Sequence, residues 1–426
     1  MIRILTYGEL PDSEIFAREI PQTTVADAVA GIIAAVRRGG DQALLGFEER
    51  FDGVKLDSLL VTPEEIEDAA ASLDPELLAV MERAAENIRA FHSRQKREGF
   101  ILNEREGVVL GQKVIPIEKV GLYVPGGTAP LSSTVLMDAI PAKIAGVREL
   151  VMATPPGPGG KIDPAILAAA KIAGVDKIFK MGGAQAVAAL AYGTESIPKV
   201  DKIVGPGSAW VAEAKKQVFG AVSIDMIAGP SEILIVADGG VPRHLAADML
   251  SQAEHDRAAS AVLVTDSRPL AEAVQRELER QLDALPRREI ARASIENNGK
   301  IIVTPDIATA IEVANRLAPE HLELCLDAPF DWLDRVRNAG SIFLGRSCPE
   351  AVGDYYAGAN HTLPTSGTAR FSSPLGVEDF VKTSQFIYYS PAALAGAAED
   401  IARFARAEQL EGHARSALAR LQEEPK

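Results

Sequence analysis

The chain has 426 residues, of which 47% are apolar and 24% charged, and its formal net charge is -15. That length accommodates about two or three domains, and the acidic balance argues against partners such as nucleic acid or an anionic membrane surface. No apolar run reaches membrane-spanning length. The opening "MIRILTYGEL" lacks the long apolar core of a secretory signal. The two cysteines, Cys325 and Cys348, form neither a disulfide framework nor a CxxC motif, which points to a reducing, cytoplasmic setting.

Residues 21–100 read as amphipathic helices. The first breaks at Gly39 and Gly40. The next opens on "TPEE", where Thr62 can cap, Pro63 fits the first helical position and Glu65 completes a capping box. Short alternating segments follow over 101–120 and lead into a Gly-rich loop. From 123 to 237, apolar strands such as "ELVMATPP" and "SEILIVAD" alternate with helices such as "AQAVAALAYG". The words "AKIAGV" at 142–147 and 170–175 recur at a spacing that suits a βα unit. A second alternating block runs from 242 to 345, and the end of the chain from about 377 is largely helical. The expected fold is therefore α/β: two Rossmann-like domains with parallel sheets flanked by helices, plus small, mainly helical N- and C-terminal parts.

Several stretches carry candidate chemistry. "MGGAQA" at 181–186 and "VGPGSAW" at 204–210 each follow a strand and enter a helix, as either phosphate cradles or ordinary βα turns. "YVPGG" at 123–127 adds an aromatic able to stack on a ring. "DMIAGPSEIL" at 225–234 reads as a hinge that offers Ser231 to a cleft. Gln252 and His255 fall on one face of an expected helix, where a hydrogen-bonded core histidine is the alternative to a ligand. Glu320 and His321 follow a helix that breaks near Pro319. His321 suits general-base work and a buried Glu320 could activate water, while a histidine at a helix C-terminus is the structural alternative. "GDYYAGANHTLPTSGTARFSS" at 353–373 gathers Asp354, His361 and Arg370 into one long loop of the kind that carries function. His413 lies five residues after Glu408 on what, alone, reads as a solvated helix face.

Together the segments "GLYVPGG", "LMDAIPAKIAGV", "GGAQAVAALAYG", "DMIAGPSEILIVAD", "LSQAEHD", "NRLAPEHLEL", "GANHTLPTSGTARFSSPLGVEDF" and "EGH" resemble histidinol dehydrogenase, in that family's order from about residue 120 to 413. The resemblance implies two NAD-dependent oxidations of L-histidinol through a bound aldehyde to L-histidine, the last steps of histidine biosynthesis. It implies Glu320 and His321 as the catalytic pair, and Gln252, His255, Asp354 and His413 as ligands of one Zn2+ per site. Substrate contacts fall on Ser231, Gln252, His255, His321, Asp354, His361, Glu408 and His413. NAD contacts fall on Tyr123, Gln185 and Ser208. Ser208 stands where the family usually has Asn in "GPGN", and the shorter side chain implies weaker NAD binding. The implied organisation is a 1–23 segment, a catalytic domain from 24–122 and 230–376, an inserted NAD-associated domain at 123–229, and a helical 377–426 segment. That last segment would form a homodimer and reach the partner's active site with Glu408 and His413. The rival readings are a zinc- and NAD-dependent dehydrogenase of another small polar alcohol, and a two-lobed small-molecule binding protein.

Overall fold

The structure, a computed structural model, describes residues 1–17, 25–126 and 130–421. Most of the 18–24 stretch expected in the N-terminal segment, and Gly127 of "YVPGG", lie outside the described residues.

In chain order, β1 (Arg3–Thr6) and α1 (Asp12–Ile15) precede α2 (Ala26–Phe47), a π-helical turn at Glu48–Asp52, α3 (Pro63–Ser72) and α4 (Pro75–His92). Then come β2 (Phe100–Leu102), β3 (Val108–Pro116), β4 (Lys119–Tyr123), α5 (Ser132–Ala145), β5 (Glu149–Thr154) and α6 (Pro164–Ala173). They are followed by β6 (Lys177–Lys180), α7 (Gly183–Tyr192), β7 (Lys202–Val204), α8 (Ala209–Val218) and β8 (Ser223–Ile224). The second alternating block is β9 (Glu232–Ala237), α9 (Pro242–Ala253), β10 (Ser260–Thr265), α10 (Arg268–Leu282), α11 (Arg288–Asn297) and β11 (Lys300–Val303). It continues with α12 (Ile307–Leu317), β12 (His321–Cys325), α13 (Phe330–Leu333), β13 (Ser341–Leu344) and α14 (Glu350–Tyr355). β14 (Val381–Tyr389), α15 (Pro391–Ala407) and α16 (Glu411–Leu418) close the chain.

Two compact units result. The first comprises 1–95 and 117–380; the second comprises 96–116 and 381–426. The first unit holds two all-parallel sheets, ordered β6-β5-β4-β7-β8 and β1-β11-β10-β9-β12-β13. Numbered within their own blocks, both follow the order 3-2-1-4-5 of a mononucleotide-binding half, with β1 added at one edge of the second. Both faces of each sheet are covered, so the strands read as continuous apolar runs rather than alternating ones. Leu122, Leu150, Met152 and Ile178 enter one core, while Tyr123, Val151, Ala153 and Phe179 enter the core on the opposite face. In the second sheet, Ile233, Ile235 and Leu263 face one way and Leu234, Val236 and Val264 the other.

The helices over 26–92 pack on the first sheet: α2 against α7 and α8, α3 against α6, and α4 against α5. Amphipathicity says that a helix has an apolar face but not which sheet receives it. The bend inside α2 falls at Gly40, whose φ is 53°, and the Glu195 carboxylate accepts from the Asp41 N–H at 2.8 Å, starting the second half of the helix. The Thr62–Glu65 capping box is present. The "AKIAGV" recurrence is one helix cap used twice. Gly146 and Gly174 take φ of 93° and 76°, and the following Val147 and Val175 N–H groups reach back to Ala142 O and Ala170 O at 3.1 and 2.9 Å.

The second unit is a three-stranded antiparallel sheet, β14-β3-β2, with α15 and α16. The strand β14 departs from the expected helical end of the chain. Its "VKTSQFIYY" pairs residue by residue with β3, from Val381 opposite Pro116 to Tyr389 opposite Val108.

Candidate active site

The catalytic candidates sit where β12 begins. α12 ends at Leu317 and its C-cap, Ala318, turns in the left-handed region at φ 48°. The chain thereby reverses into Pro319 and Glu320 before pairing with β9 at His321. His321 is thus the first residue of a buried strand, not a helix-end histidine. The Glu232 backbone on β9 holds both residues: its N–H donates to Glu320 Oε2 at 2.8 Å, and its carbonyl lies 3.0 Å from His321 Nδ1. A carbonyl can only accept, so Nδ1 carries a proton and Nε2 is the basic atom of the neutral ring. Nε2 is buried without a hydrogen-bond partner among the described residues.

What faces Nε2 is α14. Glu350 and Asp354 are one helical turn apart and share a face. Asp354 Oδ1 lies 3.7 Å and Glu350 Oε1 4.0 Å from Nε2. The helix is docked by its own start: the Glu350 N–H donates to Glu323 Oε1 at 2.8 Å. Glu323 is two residues beyond His321 on β12, so both side chains point to the same sheet face. Ser251 donates to Glu350 Oε2 at 3.0 Å.

This crowd of carboxyls sets the local charge. Burial opposes an imidazolium at His321, but Glu320, Asp354 and Glu350 outweigh it and push His321 up to about 10. Burial raises Glu320 to about 7, against the opposing pull of His321. Burial also pushes Glu323 and Glu350 to about 8, with help from Asp248 and Asp354 respectively. Asp354 goes the other way: burial would raise it, but His321 and His361 hold it well below the usual carboxylate range.

Ser231, Gln252, His255, Glu320, His321, Asp354 and His361 all line one cavity of about 130 Å³. Gln252 lies in the last turn of α9. His255 is past the helix end, in a turn closed by its N–H to Gln252 O at 3.2 Å. The expected shared helix face is therefore replaced by a turn that still sends both residues to the cavity. His361 has both ring atoms engaged. Nδ1 lies 3.0 Å from Asp354 O and Nε2 lies 3.2 Å from Thr134 Oγ1, so Nδ1 carries a proton, and burial lowers the pKa of the ring.

The floor of the cavity comes from the first sheet. Gly205, Pro206, Asp225 and Met226 line it. Gly205 has φ 112°, and a Cβ there would overlap the Tyr123 carbonyl, so only glycine lets the turn after β7 close on the end of β4. A buried Lys215–Asp225 ion pair secures this turn: Lys215 donates to Gly205 O at 2.9 Å and Asp225 accepts from Gly205 N at 2.8 Å. The first sheet therefore presents the carboxyl ends of β4 and β7, its topological switch point. The second sheet presents the amino ends of β9 and β12.

The expected cofactor residues do not line this cavity. Tyr123 ends β4, and its hydroxyl accepts from the Gly183 N–H at 3.0 Å. Gln185, in the first turn of α7, donates from Nε2 to Glu48 at 3.0 Å. Ser208 is the exposed N-cap of α8, and its side chain makes no cap hydrogen bond. Glu408 and His413 belong to the second unit, at the end of α15 and in α16, and both are exposed.

A metal ion suits the cavity's donor set. Gln252 Oε1 is buried with no hydrogen-bond partner among the described residues, an expensive arrangement unless something else takes its lone pairs. It shares the cavity with His255 and Asp354, and mixed imidazole and oxygen donors suit zinc. Among the described residues, a separate cation-capable group is His321, Glu350 and Asp354, with ligand atoms within 4.8 Å of one another. Asp354 is common to both sets. The residues missed in sequence reasoning are Glu323, Glu350 and the Glu232 backbone. The only local signal was Glu350 and Asp354 at helical spacing after Pro349.

Comparison with known proteins identifies the family. The family model for histidinol dehydrogenase matches residues 17–421. The histidinol dehydrogenase of Syntrophotalea carbinolica is 54% identical over 431 residues, covering 99% of this chain and 100% of the relative. That of Geobacillus kaustophilus is 56% identical, covering 93% of each chain. The crystal structure of the enzyme from Elizabethkingia anophelis superposes with a TM-score of 0.93 at 38% identity, covering 99% of this chain and 98% of that one. The chain belongs to the histidinol dehydrogenase family.

Proposed function

We propose that the chain oxidises L-histidinol to L-histidine in two NAD-dependent steps, with His321 as the general base and Glu320 as the residue that activates water. The observation that carries this reading is the Glu320–His321 pair on the Glu232 backbone, with Nε2 bare beside the cavity that also holds Ser231, Gln252, His255 and Asp354. The family is NAD- and zinc-dependent, and so is this chain.

The residues that would hold the zinc ion are Gln252, His255, Asp354 and His413. When bound, the metal supplies a Lewis-acidic anchor that orients the amine and imidazole nitrogens of the substrate, and NAD supplies the hydride acceptor. The protein's own groups do the proton work. His321 Nε2 takes the proton of the substrate hydroxyl as the carbinol carbon is oxidised, while the Glu232 carbonyl steadies the positive ring through Nδ1. In the second step Glu320, with its pKa lifted to about 7, draws a proton from water so that the oxygen adds to the aldehyde carbon. His321, its first proton passed to solvent between the two steps, then accepts the hydroxyl proton of the hydrate. Holding the aldehyde in a small cavity keeps the two steps on one site.

Tyr123, Gln185 and Ser208 are read as the NAD contacts. Glu408 and His413 are read as completing the site of a partner subunit in a homodimer, which makes association part of catalysis. No helix among the described residues is long and apolar enough to cross a membrane, and a cytoplasmic enzyme is the proposed setting.

The test is the yield of NADH per L-histidinol consumed, with zinc-loaded protein and excess NAD. A yield near two is expected. No NADH from histidinol would overturn the substrate assignment and favour another small polar alcohol.

A further inference from the structure

Glu48 is a fully buried carboxyl with no role in the chemistry above. It opens the π-helical turn that follows α2, an irregularity often found beside functional sites. Its Oε1 accepts two hydrogen bonds, from Gln185 Nε2 at 3.0 Å and from the Gly182 N–H at 3.4 Å. Its Oε2 is buried without a hydrogen-bond partner among the described residues. Asp52 follows four residues later, and among the described residues no cation pairs with Glu48. An unpaired buried carboxylate is costly, so the group takes its neutral form; burial and Asp52 raise its pKa to about 8.

Two consequences follow for the first turn of α7. Two of its backbone donors are already engaged, Gly182 N–H by Glu48 and Gly183 N–H by the Tyr123 hydroxyl. The turn after β6 therefore offers a phosphate fewer free donors than its glycines suggest. The Gln185 amide is also fixed in orientation. With Nε2 committed to Glu48, the atom it presents is the acceptor Oε1, lying over Gly183, where a Cβ would meet it at 2.7 Å.

We propose that Glu48 is a positioning residue of the cofactor site, and that by holding Gln185 it makes that subsite an acceptor for a hydrogen-bond donor of the dinucleotide, a ribose hydroxyl or an amide or amino group, rather than for its phosphates. This rests on the reading of Gln185 as an NAD contact.

The experiment compares Glu48→Gln, Glu48→Met and Gln185→Ala, and the double variant carrying Glu48→Met and Gln185→Ala, by kcat and by KM for NAD and for histidinol separately. Glu48→Met keeps the volume and removes the acceptor; Glu48→Gln keeps it. Glu48→Met is expected to raise KM for NAD about ten-fold, the loss of roughly one charge-free hydrogen bond, with KM for histidinol unchanged. Glu48→Gln stays within about two-fold of wild type, and the double variant is no weaker than Gln185→Ala alone. If Gln185→Ala raises KM for NAD while Glu48→Met does not, the Glu48 proposal fails and the cofactor reading stands. If Gln185→Ala is itself without effect, the cofactor reading fails and takes the proposal with it. Should Glu48→Met not fold, equal affinities for NAD in Glu48→Gln and wild type, measured by titration, remain required; a ten-fold loss there overturns the proposal.

Discussion

Glu232, which opens β9, holds His321 at the start of β12, and the two backbone polar groups of Glu232 serve both catalytic candidates. Its N–H donates to Glu320 Oε2 at 2.8 Å and its carbonyl takes the Nδ1 proton of His321 at 3.0 Å. Orientation thus comes from strand pairing, which no single side-chain change can remove. The proposed mechanism gives the two residues separate roles. His321→Asn is expected to lower kcat by about 10³-fold, the usual worth of a general base, with NADH formation lost from the first step onward. Glu320→Gln is expected to leave the first oxidation and reduce the second, so that the yield falls from two NADH toward one. Rapid quench with carbonyl trapping would find the aldehyde in the Glu320→Gln reaction. A full yield from Glu320→Gln would remove Glu320 from the mechanism.

The charge around His321 makes a prediction about the metal. A base must be neutral to accept a proton, yet Glu320, Asp354 and Glu350 overcome burial and push His321 up to about 10. The sign is that of a histidine gaining partners: its charged form is favoured below about 10, and the stability it contributes is full below its ordinary 6.5 and is lost as pH rises through the folded value. A divalent cation on Asp354 withdraws one of those carboxylates. In chelated protein the His321 ring should titrate well above neutrality, and zinc loading should move that titration downward. Ring ¹⁵N shifts across a pH series decide it, since the chain has only six histidines. Asp354→Asn should lower bound zinc, read by elemental analysis. A His321 titration that ignores zinc would break the link between Asp354 and the base.

Gly205 gives a prediction about the scaffold. Its φ of 112° is one that side-chain-bearing residues rarely adopt, and a Cβ would run into the Tyr123 carbonyl. Gly205→Ala is expected to cost roughly 3 kcal/mol, from backbone strain and loss of the Lys215 and Asp225 hydrogen bonds. Thermal unfolding would register it. A shift of under a degree would mean that the turn has room to move.

Much of this site was legible in the sequence because its residues carry local marks. "PEHL" follows a helix break, Gln252 and His255 are three residues apart, and the 353–373 stretch is rich in Gly and polar side chains, although its first residues, Asp354 among them, end α14 instead of lying in the expected loop. Glu323 and Glu350 left no comparable mark. Glu323 looks like one polar residue in an apolar strand, and only the pairing of β12 with β9, together with the docking of α14, reveals that it shares a face with His321. The capping box at Thr62 and the repeated Gly caps were legible for the same reason, being set within a few residues. The partner of α2 was not: its apolar face is specified locally, but the sheet that covers it lies beyond residue 119. β14 was missed because its pairing partner, β3, is far away in sequence.

The last prediction concerns Glu408 and His413, which lie exposed in the second unit. If they serve the partner's site, then a chain lacking His321 still lends a good His413, and a chain lacking His413 still offers a good His321. His321→Asn and His413→Ala proteins should each be nearly inactive alone. Mixed, unfolded together and refolded, they should recover activity, because a mixed dimer has one site that carries both wild-type residues. Random association makes half of the dimers mixed, each with one working site of two, so recovery should approach about a quarter of wild type if the sites act independently. The His413→Ala protein should also bind less zinc, although the residue changed is a surface histidine whose loss costs little stability. If the two variants regain nothing on mixing while capture of differently tagged chains shows that mixed dimers have formed, then His413 acts within its own chain.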